Sequence, residues 1–491
     1  MMYQSTRDHR LQASSTRAVL NGIAPDGGLY ILDDLNDLNF DWLSILEQDP
    51  MDMSASILAA LLPEFPDMNA LVHQGYEGKF SAPDLTPVIP VADRYVLELF
   101  RGPTSAFKDV ALSLLPRLMT AARDVEGSEE EIVILTATSG DTGKAALEGF
   151  RDVPGTRIIV FYPYNGVSPI QQAQMTTQQG KNVCVCAVRG NFDDAQTGVK
   201  EIFTACSQRD LGHVRLSSAN SINIGRLAPQ IAYYFKSYAD LVHTGRIKPG
   251  QPVHFVVPTG NFGDILAGYF AKLLGLPVGR LICASNANNV LTDFLTTGVY
   301  DKRRPFHKTT SPSMDILVSS NLERLLYLLS GCDNEYVRSL MKQLKREGHY
   351  QVSEEMLSKL KAEFGCGCCN DTEAAAVIRR VWKESGYLLD PHTAVAWAVA
   401  DQFMAQRTDD APVVVLSTAS PYKFPAAVLS ALGKTPCEDA FALMEQLHQC
   451  TGVPVPENLA SLADLPVRHR DVIDREKMLD YVLEKVGEAQ W

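Results

Sequence analysis

The sequence predicts an α/β protein in which helices cover both faces of parallel β-sheets. Short β-branched runs alternate with helix-spaced apolar patterns from about residue 90 to about residue 430. This alternation is typical of parallel sheets. Three segments rich in glycine or hydroxyl residues also follow predicted strands directly, at the sheet edge where open α/β folds bind their ligands.

The predicted elements follow in order along the chain. A turn at Gly27-Gly28 precedes a short strand at 29–32, and residues 43–62 carry helix-spaced apolar residues. The proline-rich stretch 81–90 indicates a boundary. Strands are then predicted at 132–135, 157–161, 183–188, 253–257, 281–284 and 413–416, with helices between them. Residues from about 430 onward have the pattern of helices with a charged end.

Composition excludes several classes of protein. The 491 residues carry a net charge of −13, which argues against a nucleic-acid binder or a binder of anionic membranes. No apolar run approaches the roughly 20 residues of a membrane span, and the N-terminus lacks the apolar core of a signal peptide. Ten cysteines are too sparse for a disulfide scaffold, so we expect a cytoplasmic protein. Cys366, Cys368 and Cys369 are expected to be free thiols in a loop, without a metal.

Lys108 lies in an unusual setting, the segment 102–109 that follows the apolar run 95–100. A lysine held against Ala106 and Phe107 would lose hydration, and desolvation favours its neutral amine. A neutral amine can attack a carbonyl and form a Schiff base, as pyridoxal phosphate (PLP) enzymes require. On this segment alone, an ordinary lysine at a helix start is the alternative.

A first loop, residues 136–144, follows the strand predicted at 132–135. Gly140 and Gly143 let the backbone turn tightly, and the amides of the next helix favour an anion such as a carboxylate. A Walker A loop is excluded, because Thr138 stands where that motif needs glycine and Ala145 where it needs Ser or Thr. A plain capped strand–helix turn stays open.

A second loop, residues 258–264, has two glycines spaced three apart between a strand and a helix. Amides in such a loop form a nest for a phosphate, and the helix dipole makes a nearby lysine unnecessary. A third segment, 416–421, places hydroxyl groups at a strand end, where one can bond a buried ring nitrogen or its own backbone.

A fourth segment, residues 217–226, offers several neutral donors and one arginine. Asn220 and Ser221 lie six and five residues before Arg226, so a loop-to-helix turn brings the three together. Arginine with amide and hydroxyl donors suits a substrate phosphate. A helix N-cap beside an exposed arginine is the alternative.

Taken together and in this order, the motifs resemble the threonine synthases of the PLP fold-type II superfamily, over nearly the whole chain. The opening segments 3–7 and 24–30 resemble the long bacterial and fungal subgroup, which has an extra N-terminal domain. LELFRGPTSAFKD resembles the PLP-lysine motif, TSGDTGKAALEGF the substrate loop and PTGNFGD the cofactor-phosphate loop. Segments 390–394 and 417–419 also match.

The resemblance assigns a role to each matching residue. Lys108 would form the Schiff base with PLP, and Thr418 would contact the pyridine nitrogen. The cofactor phosphate would be held by Gly260, Asn261, Phe262, Gly263 and Asp264. The substrate carboxylate and the far edge of the ring would be surrounded by Ser139, Gly140, Asp141 and Thr142. The substrate phosphate would be bound by Asn220, Ser221 and Arg226.

The resemblance also implies two parallel-sheet α/β lobes and a mostly helical N-terminal domain. We expect the N-terminal domain at 1–90, a lobe with the PLP lysine and substrate loops at 91–240, a lobe with the cofactor-phosphate loop at 241–430, and a helical segment at 431–491. His392 is expected to be a packing residue. In the family pattern a histidine often follows Ser-Thr-Ala, whereas here Ser420 stands there, with Tyr422 two further on.

The implied activity is the conversion of O-phospho-L-homoserine and water to L-threonine and phosphate, without a protein, nucleic-acid or membrane partner. Another fold-type II lyase, either a serine/threonine dehydratase or an amino-alcohol phospho-lyase, is one alternative. A non-catalytic PLP-binding protein is another. The arginine group at 220–226 argues against the plain dehydratases, whose substrates have no phosphate.

Overall fold

The computed structural model of the chain describes residues 2–33, 35–206, 209 and 211–488. The predicted segment 431–491 therefore ends outside the described residues. The strands are β1 Tyr3–Ser5, β2 Asp8–Ala13, β3 Tyr30–Ile31, β4 Val88–Val91, β5 Arg94–Glu98, β6 Glu131–Ala137, β7 Thr156–Pro163, β8 Val183–Arg189, β9 Val214–Ser217, β10 Val253–Pro258, β11 Val278–Ser285, β12 Val299–Asp301, β13 His349–Gln351, β14 Phe364–Cys368, β15 Val413–Ser417 and β16 Asp471–Asp474.

Helices connect these strands. They are α1 Ser15–Asn21, α2 Pro50–Leu61, α3 Met68–Tyr76, α4 Lys108–Leu112, α5 Leu115–Val125, α6 Asp141–Phe150, α7 Pro169–Thr176, α8 Phe192–Cys206, α9 Ile224–His243, α10 Gly263–Leu273, α11 Val290–Thr297, α12 Leu322–Leu329, α13 Asn334–Glu347, α14 Glu354–Glu363, α15 Asp371–Ser385, α16 Pro391–Met404, α17 Pro425–Ala431, α18 Ala440–Thr451, α19 Glu457–Ala460 and α20 Met478–Gly487.

Two large sheets carry the fold. The first has the order β14-β11-β10-β15-β5-β4, and the second has the order β16-β8-β7-β6-β9. All neighbouring pairs are parallel except β4 with β5. Parallel sheets are covered by helices on both faces, so their central strands are fully buried, as every residue of β15 is. The structure confirms the predicted α/β class.

The order of the first sheet positions the functional loops. β15 lies between β10 and β5, with Val256 paired to Val415 and Val415 paired to Val96. Because the three strands are parallel, their carboxyl ends meet at one edge. The loop at 258–264, the loop at 418–421 and the segment that ends at Lys108 therefore leave the sheet side by side.

The membership of the sheets differs in two places from the expected segments. β5, which leads to Lys108, joins the sheet that carries the loop at 258–264 and not the sheet built from 131–217. β16 extends the second sheet beside β8, so the C-terminal segment is not purely helical. The local pattern of a strand does not specify its partners, because these pairings join residues distant in sequence. The segment boundaries stay predictions.

Cys366 and Cys368 lie in strand β14 and not in a loop, because this stretch pairs with β11. All ten cysteines lie in the described residues, and no disulfide joins any of them. Within the described ranges, no group of His, Cys, Asp or Glu side chains is arranged to hold a metal ion. None of the described helices is both long enough and apolar enough to cross a membrane.

The N-terminal region packs on the elements that carry the candidate site. The Tyr76 hydroxyl donates to the Val110 carbonyl of α4 at 2.6 Å. Asn223, the N-cap of α9, donates to the Val19 carbonyl of α1 at 2.9 Å. Both bonds are buried, so they anchor α4 and α9 to the N-terminal region and limit their movement.

Candidate active site

Lys108 is the first residue of α4, and its side chain is 11% exposed. The ammonium donates to the Ser313 hydroxyl at 3.4 Å and lies 4.0 Å from an Asp141 carboxylate oxygen. It also lies 4.2 Å from the centre of the Phe107 ring. Burial lowers the pKa of Lys108 from 10.5 to about 8, the direction expected from its apolar neighbours.

The loop before Lys108 is held by buried hydrogen bonds. The Asp109 carboxylate accepts from the Thr104 amide at 2.8 Å and from the Thr104 hydroxyl at 2.5 Å. A Cβ at Gly102 would lie 2.4 Å from the Asp109 Cβ, so this approach requires glycine. The Phe107 amide donates to the Thr418 carbonyl at 2.8 Å, which fixes the loop to the end of β15.

Asp141 begins α6 and is fully buried beside Lys108. Its carboxylate accepts from Gln171 at 2.8 Å, from the Ser313 hydroxyl at 3.2 Å, and from the Lys423 ammonium at 2.6 Å. Burial alone would raise the pKa of Asp141, but the charges of Lys423 and Lys108 reverse this and hold it well below its usual range. Asp141 is therefore an anion next to Lys108.

Lys423 is a residue that the sequence reasoning missed. Its side chain is completely buried, and besides Asp141 it binds the Thr104 carbonyl at 3.1 Å. It lies in a short 3₁₀ helix at Pro421–Lys423. A lysine between apolar residues after the Ser-Thr-Ala segment is the signal that could have found it, since a buried lysine needs a partner.

We expect Lys423→Met to destabilise the protein by about 3–5 kcal/mol, because the buried Asp141 carboxylate would lose its nearest cation. Urea unfolding measures the change. Lys434→Met is the matched control, since Lys434 is exposed and its side chain has no ion-pair partner in the described residues. Equal unfolding free energies for both variants would contradict the pairing.

The loop at 259–264 has the geometry of a phosphate nest. The side chain of Phe262 is buried, and its backbone is left-handed at φ +63°. Phe262 is the N-cap residue of α10. The amides of Gly260, Asn261, Phe262 and Gly263 donate no hydrogen bond within the described part of the chain. A Cβ at Gly260 would lie 2.6 Å from the Ser313 carbonyl. Unsatisfied amides at a helix N-terminus fit a phosphate dianion.

Asp264 lies in the first turn of α10, and its carboxylate accepts from the Ile265 amide at 2.9 Å. Burial raises its pKa to about 6. Thr418 follows β15 and is 5% exposed, and its hydroxyl has no hydrogen-bond partner among the described residues. That hydroxyl is therefore available to a ligand atom above the strand ends.

Arg226 lies in the first turn of α9 and is 3% exposed. One of its terminal nitrogens donates to the Ala219 carbonyl at 2.5 Å, while its Nε is buried without a hydrogen-bond partner. Burial lowers the pKa of Arg226 to about 10. Within the described residues no carboxylate pairs with it, so its charge is suited to a bound anion.

The structure brings most of the expected residues together, but not all of them. Four charged groups act on the pKa of Lys108 and therefore share one site with it. They are Asp141, Lys423, Arg226 and Asp264. Four half-buried residues of the two substrate loops make no side-chain hydrogen bond or ion pair with this cluster in the described structure; they are Ser139, Thr142, Asn220 and Ser221. The Ser221 carbonyl instead accepts from Asn321 at 3.1 Å. Their roles stay predictions.

His392 packs against Phe424, as expected, but it also makes hydrogen bonds. Its Nε2 accepts from the Ser313 amide at 3.1 Å, and its Nδ1 donates to Asp390 at 2.8 Å. Asp390 thus fixes the ring, and the ring positions Ser313 against Lys108. The pattern Asp390-Pro391-His392 was visible in the sequence, whereas its partner Ser313 was not.

We expect Lys108→Met to stabilise the cofactor-free protein by about 3 kcal/mol at pH 7, because burial lowers the pKa from 10.5 to about 8 and each unit is worth about 1.4 kcal/mol. Unfolded lysine keeps its proton up to about pH 10.5, so wild-type stability rises with pH between about 8 and 10.5. The gain from Lys108→Met is therefore complete below pH 8 and fades by pH 10.5. Urea unfolding at pH 7 and pH 10 tests this, and a pH-independent gain would contradict it.

Comparisons with known proteins agree with this geometry. Residues 91–419 match the family model described as "Pyridoxal-phosphate dependent enzyme". Residues 2–76 match the threonine synthase N terminus, and residues 393–482 match the threonine synthase C-terminal model. The PLP-bound threonine synthase of Brucella melitensis superposes with a TM-score of 0.86 at 38% identity, covering 99% of this chain and 98% of that one.

Curated relatives give the same assignment. The threonine synthase of Pseudomonas aeruginosa is 39% identical over 463 residues, which cover 92% of this chain and 96% of the relative. Threonine synthase-like 1 of Macaca fascicularis is 40% identical over 435 residues, covering 85% of this chain. The match spans 58% of that relative's length. The resemblance drawn from the motifs is confirmed: the chain belongs to the threonine synthase family of PLP-dependent, fold-type II enzymes.

Proposed function

We propose that this protein converts O-phospho-L-homoserine and water to L-threonine and phosphate. The observation that carries the proposal is Arg226, a buried arginine without a carboxylate partner in the described chain, in the same site as Lys108. A second anion site beside a desolvated lysine is what a phosphorylated amino-acid substrate requires. The family assignment supports the same substrate class.

The residues of the site fit pyridoxal phosphate. The free amides of Gly260 to Gly263 would hold its phosphate, with Asp264 contributing through the backbone of the first helical turn. The Thr418 hydroxyl would bond its ring nitrogen, and the Lys108 amine would bond its aldehyde carbon. When bound, the cofactor supplies a sink for the electrons left by proton removal beside the substrate amine.

Lys108 then acts as the base that moves protons at the substrate. With a pKa of about 8, a fraction of its amine is neutral near pH 7 and accepts the Cα proton. The anionic Asp141, 4.0 Å away, stabilises the ammonium that results. Ser313, held by His392, keeps the amine oriented between these steps.

Arg226 would bind the substrate phosphate and stabilise it as it leaves. A buried guanidinium in a site of low dielectric interacts more strongly with the departing dianion than with the ester. The amides of Asp141 and Thr142 would bind the substrate carboxylate at the start of α6, since the Gly140 amide already donates to the Thr138 hydroxyl at 2.9 Å. A proton is also lost from Cβ, so that the phosphate can leave from Cγ. Water then adds at Cβ, and protons return to Cγ and Cα, with Lys108 supplying the proton that it holds.

Incubation with O-phospho-L-homoserine tests the function. We expect threonine and phosphate in equal amounts, measured by chiral amino-acid analysis and a phosphate assay. L-Serine, L-threonine and phosphoethanolamine serve as parallel substrates. A keto acid or aldehyde with ammonia, in place of threonine, would indicate a dehydratase or phospho-lyase. Cofactor binding without turnover of any of these would indicate a non-catalytic protein.

We place the reaction in the cytoplasm, with no protein partner.

A further inference from the structure

A cavity lies outside the candidate active site. It has a volume of about 170 Å³ and is bounded by the chain after α3, the loop before α4, and helices α5 and α6. This is far above the roughly 10–15 Å³ that one water needs on this measure. The cavity therefore has room for a small ligand.

Charged side chains line this cavity in an unequal balance. Lys79, Arg117 and Arg151 face one carboxylate, Glu148. Such a local excess of positive charge stands out in a chain with a net charge of −13. Because like charges repel, three cations gathered around one small volume favour an anion between them.

Both carboxylate oxygens of Glu148 already have partners. One of its oxygens lies 3.0 Å from Arg151. The other lies 3.3 Å from Lys144 and accepts from Gln178 at 3.0 Å. The single charge of Glu148 is shared between Arg151 and Lys144, so it cannot also neutralise Lys79 and Arg117, although it partly offsets the lowering of the Lys79 pKa.

Lys79 and Arg117 are both half-buried, and neither side chain has a hydrogen-bond or ion-pair partner within the described ranges. The Nε of Arg117 is buried and unsatisfied. Burial and the neighbouring Arg117 lower the pKa of Lys79 to about 8. Leaving buried donors of this kind unpaired costs free energy that a bound acceptor would recover.

We propose that this cavity is a phosphate-binding site outside the active site, which takes inorganic phosphate or a small phosphomonoester. A dianion matches the two uncompensated positive charges, and a guanidinium fork beside an ammonium is a common phosphate-binding arrangement. The site is distinct from the active site, because none of its charged side chains forms a hydrogen bond or ion pair with Lys108, Arg226 or the loop at 259–264 in the described structure.

Equilibrium dialysis of the PLP-loaded protein against radiolabelled inorganic phosphate tests the proposal. We expect Lys79→Met and Arg117→Met each to weaken binding at this site at least about tenfold. Lys248→Met is the matched control, since it removes an exposed lysine with the same change of charge. Arg117→Lys should restore part of the affinity, which a merely structural role of Arg117 would not predict.

The Arg226→Met variant separates the two anion sites. It should keep the phosphate binding that Lys79→Met weakens, because Arg226 forms no hydrogen bond or ion pair with a residue that lines the cavity in the described structure. Loss of all phosphate binding in Arg226→Met, or equal binding by Lys79→Met and Lys248→Met, would overturn the proposal. Displacement by glycerol phosphate would show that phosphomonoesters enter, and its failure would restrict the site to inorganic phosphate. The readout is binding, so it does not depend on the proposed reaction.

Discussion

Lys108→Ala is expected to reduce threonine formation by more than about 10³-fold, because it removes both the group that bonds the cofactor and the base that moves the substrate protons. Arg226, Asp141 and the loop at 259–264 remain in place in this variant. Steady-state assays with O-phospho-L-homoserine measure the loss. Urea unfolding should show that the variant is folded, so that the loss reflects chemistry.

The same variant should lose cofactor more readily during desalting. The cofactor content is measured by absorbance after release in alkali. Some cofactor should still bind, since the amides at 259–264 keep the phosphate nest. Lys423→Arg provides a comparison, because it changes a buried lysine in the same site but keeps its charge. A Lys108→Ala protein with wild-type turnover would refute the assignment of Lys108.

Arg226→Met is expected to lower kcat/KM for O-phospho-L-homoserine by about 10²–10³-fold. Truncation of one partner of a buried charge pair costs about 2–5 kcal/mol, or about 30- to 5,000-fold, and the expected loss lies within this range. Methionine fills similar space without a charge, so α9 should stay folded. The substrate phosphate would lose the guanidinium that is held by the Ala219 carbonyl.

Cofactor retention distinguishes the two phosphate positions of the active site. Arg226→Met should retain pyridoxal phosphate like the wild type, because the amides at 259–264 do not depend on Arg226. Arg226→Lys should recover part of the activity through charge alone, without the planar fork. If cofactor affinity fell as much as substrate affinity, Arg226 would instead bind the cofactor phosphate.

The loop motifs could be predicted from sequence because their chemistry is local. A glycine pair between a strand and a helix specifies an amide nest, and the structure has this nest at Gly260 and Gly263. A lysine among small and aromatic residues specifies desolvation, and Lys108 is buried as expected. The predicted strand positions were also close, since β-branched runs are buried on both sheet faces.

Contacts between distant segments could not be predicted. Lys423 pairs with Asp141, although 282 positions separate them along the chain, and His392 binds the Ser313 amide. Neither Lys423 nor Ser313 carries a sequence pattern that identifies its partner. The side chains of Ser139 and Thr142, by contrast, belong to a clear motif and yet make no hydrogen bond with the described residues of the site.

The α/β class, the family and the glycine- and hydroxyl-rich loops could be identified from the sequence alone, because each depends on residues close together in the chain. The folded structure was needed to show that β5 pairs with β15, which in turn pairs with β10. This order places Lys108, Thr418 and the phosphate nest at one edge of the sheet. The folded structure also sets the ionisation states of the charged side chains in the site. The ionisation of Lys108 and Asp141 depends on burial and on Lys423, and burial is a property of the folded chain alone.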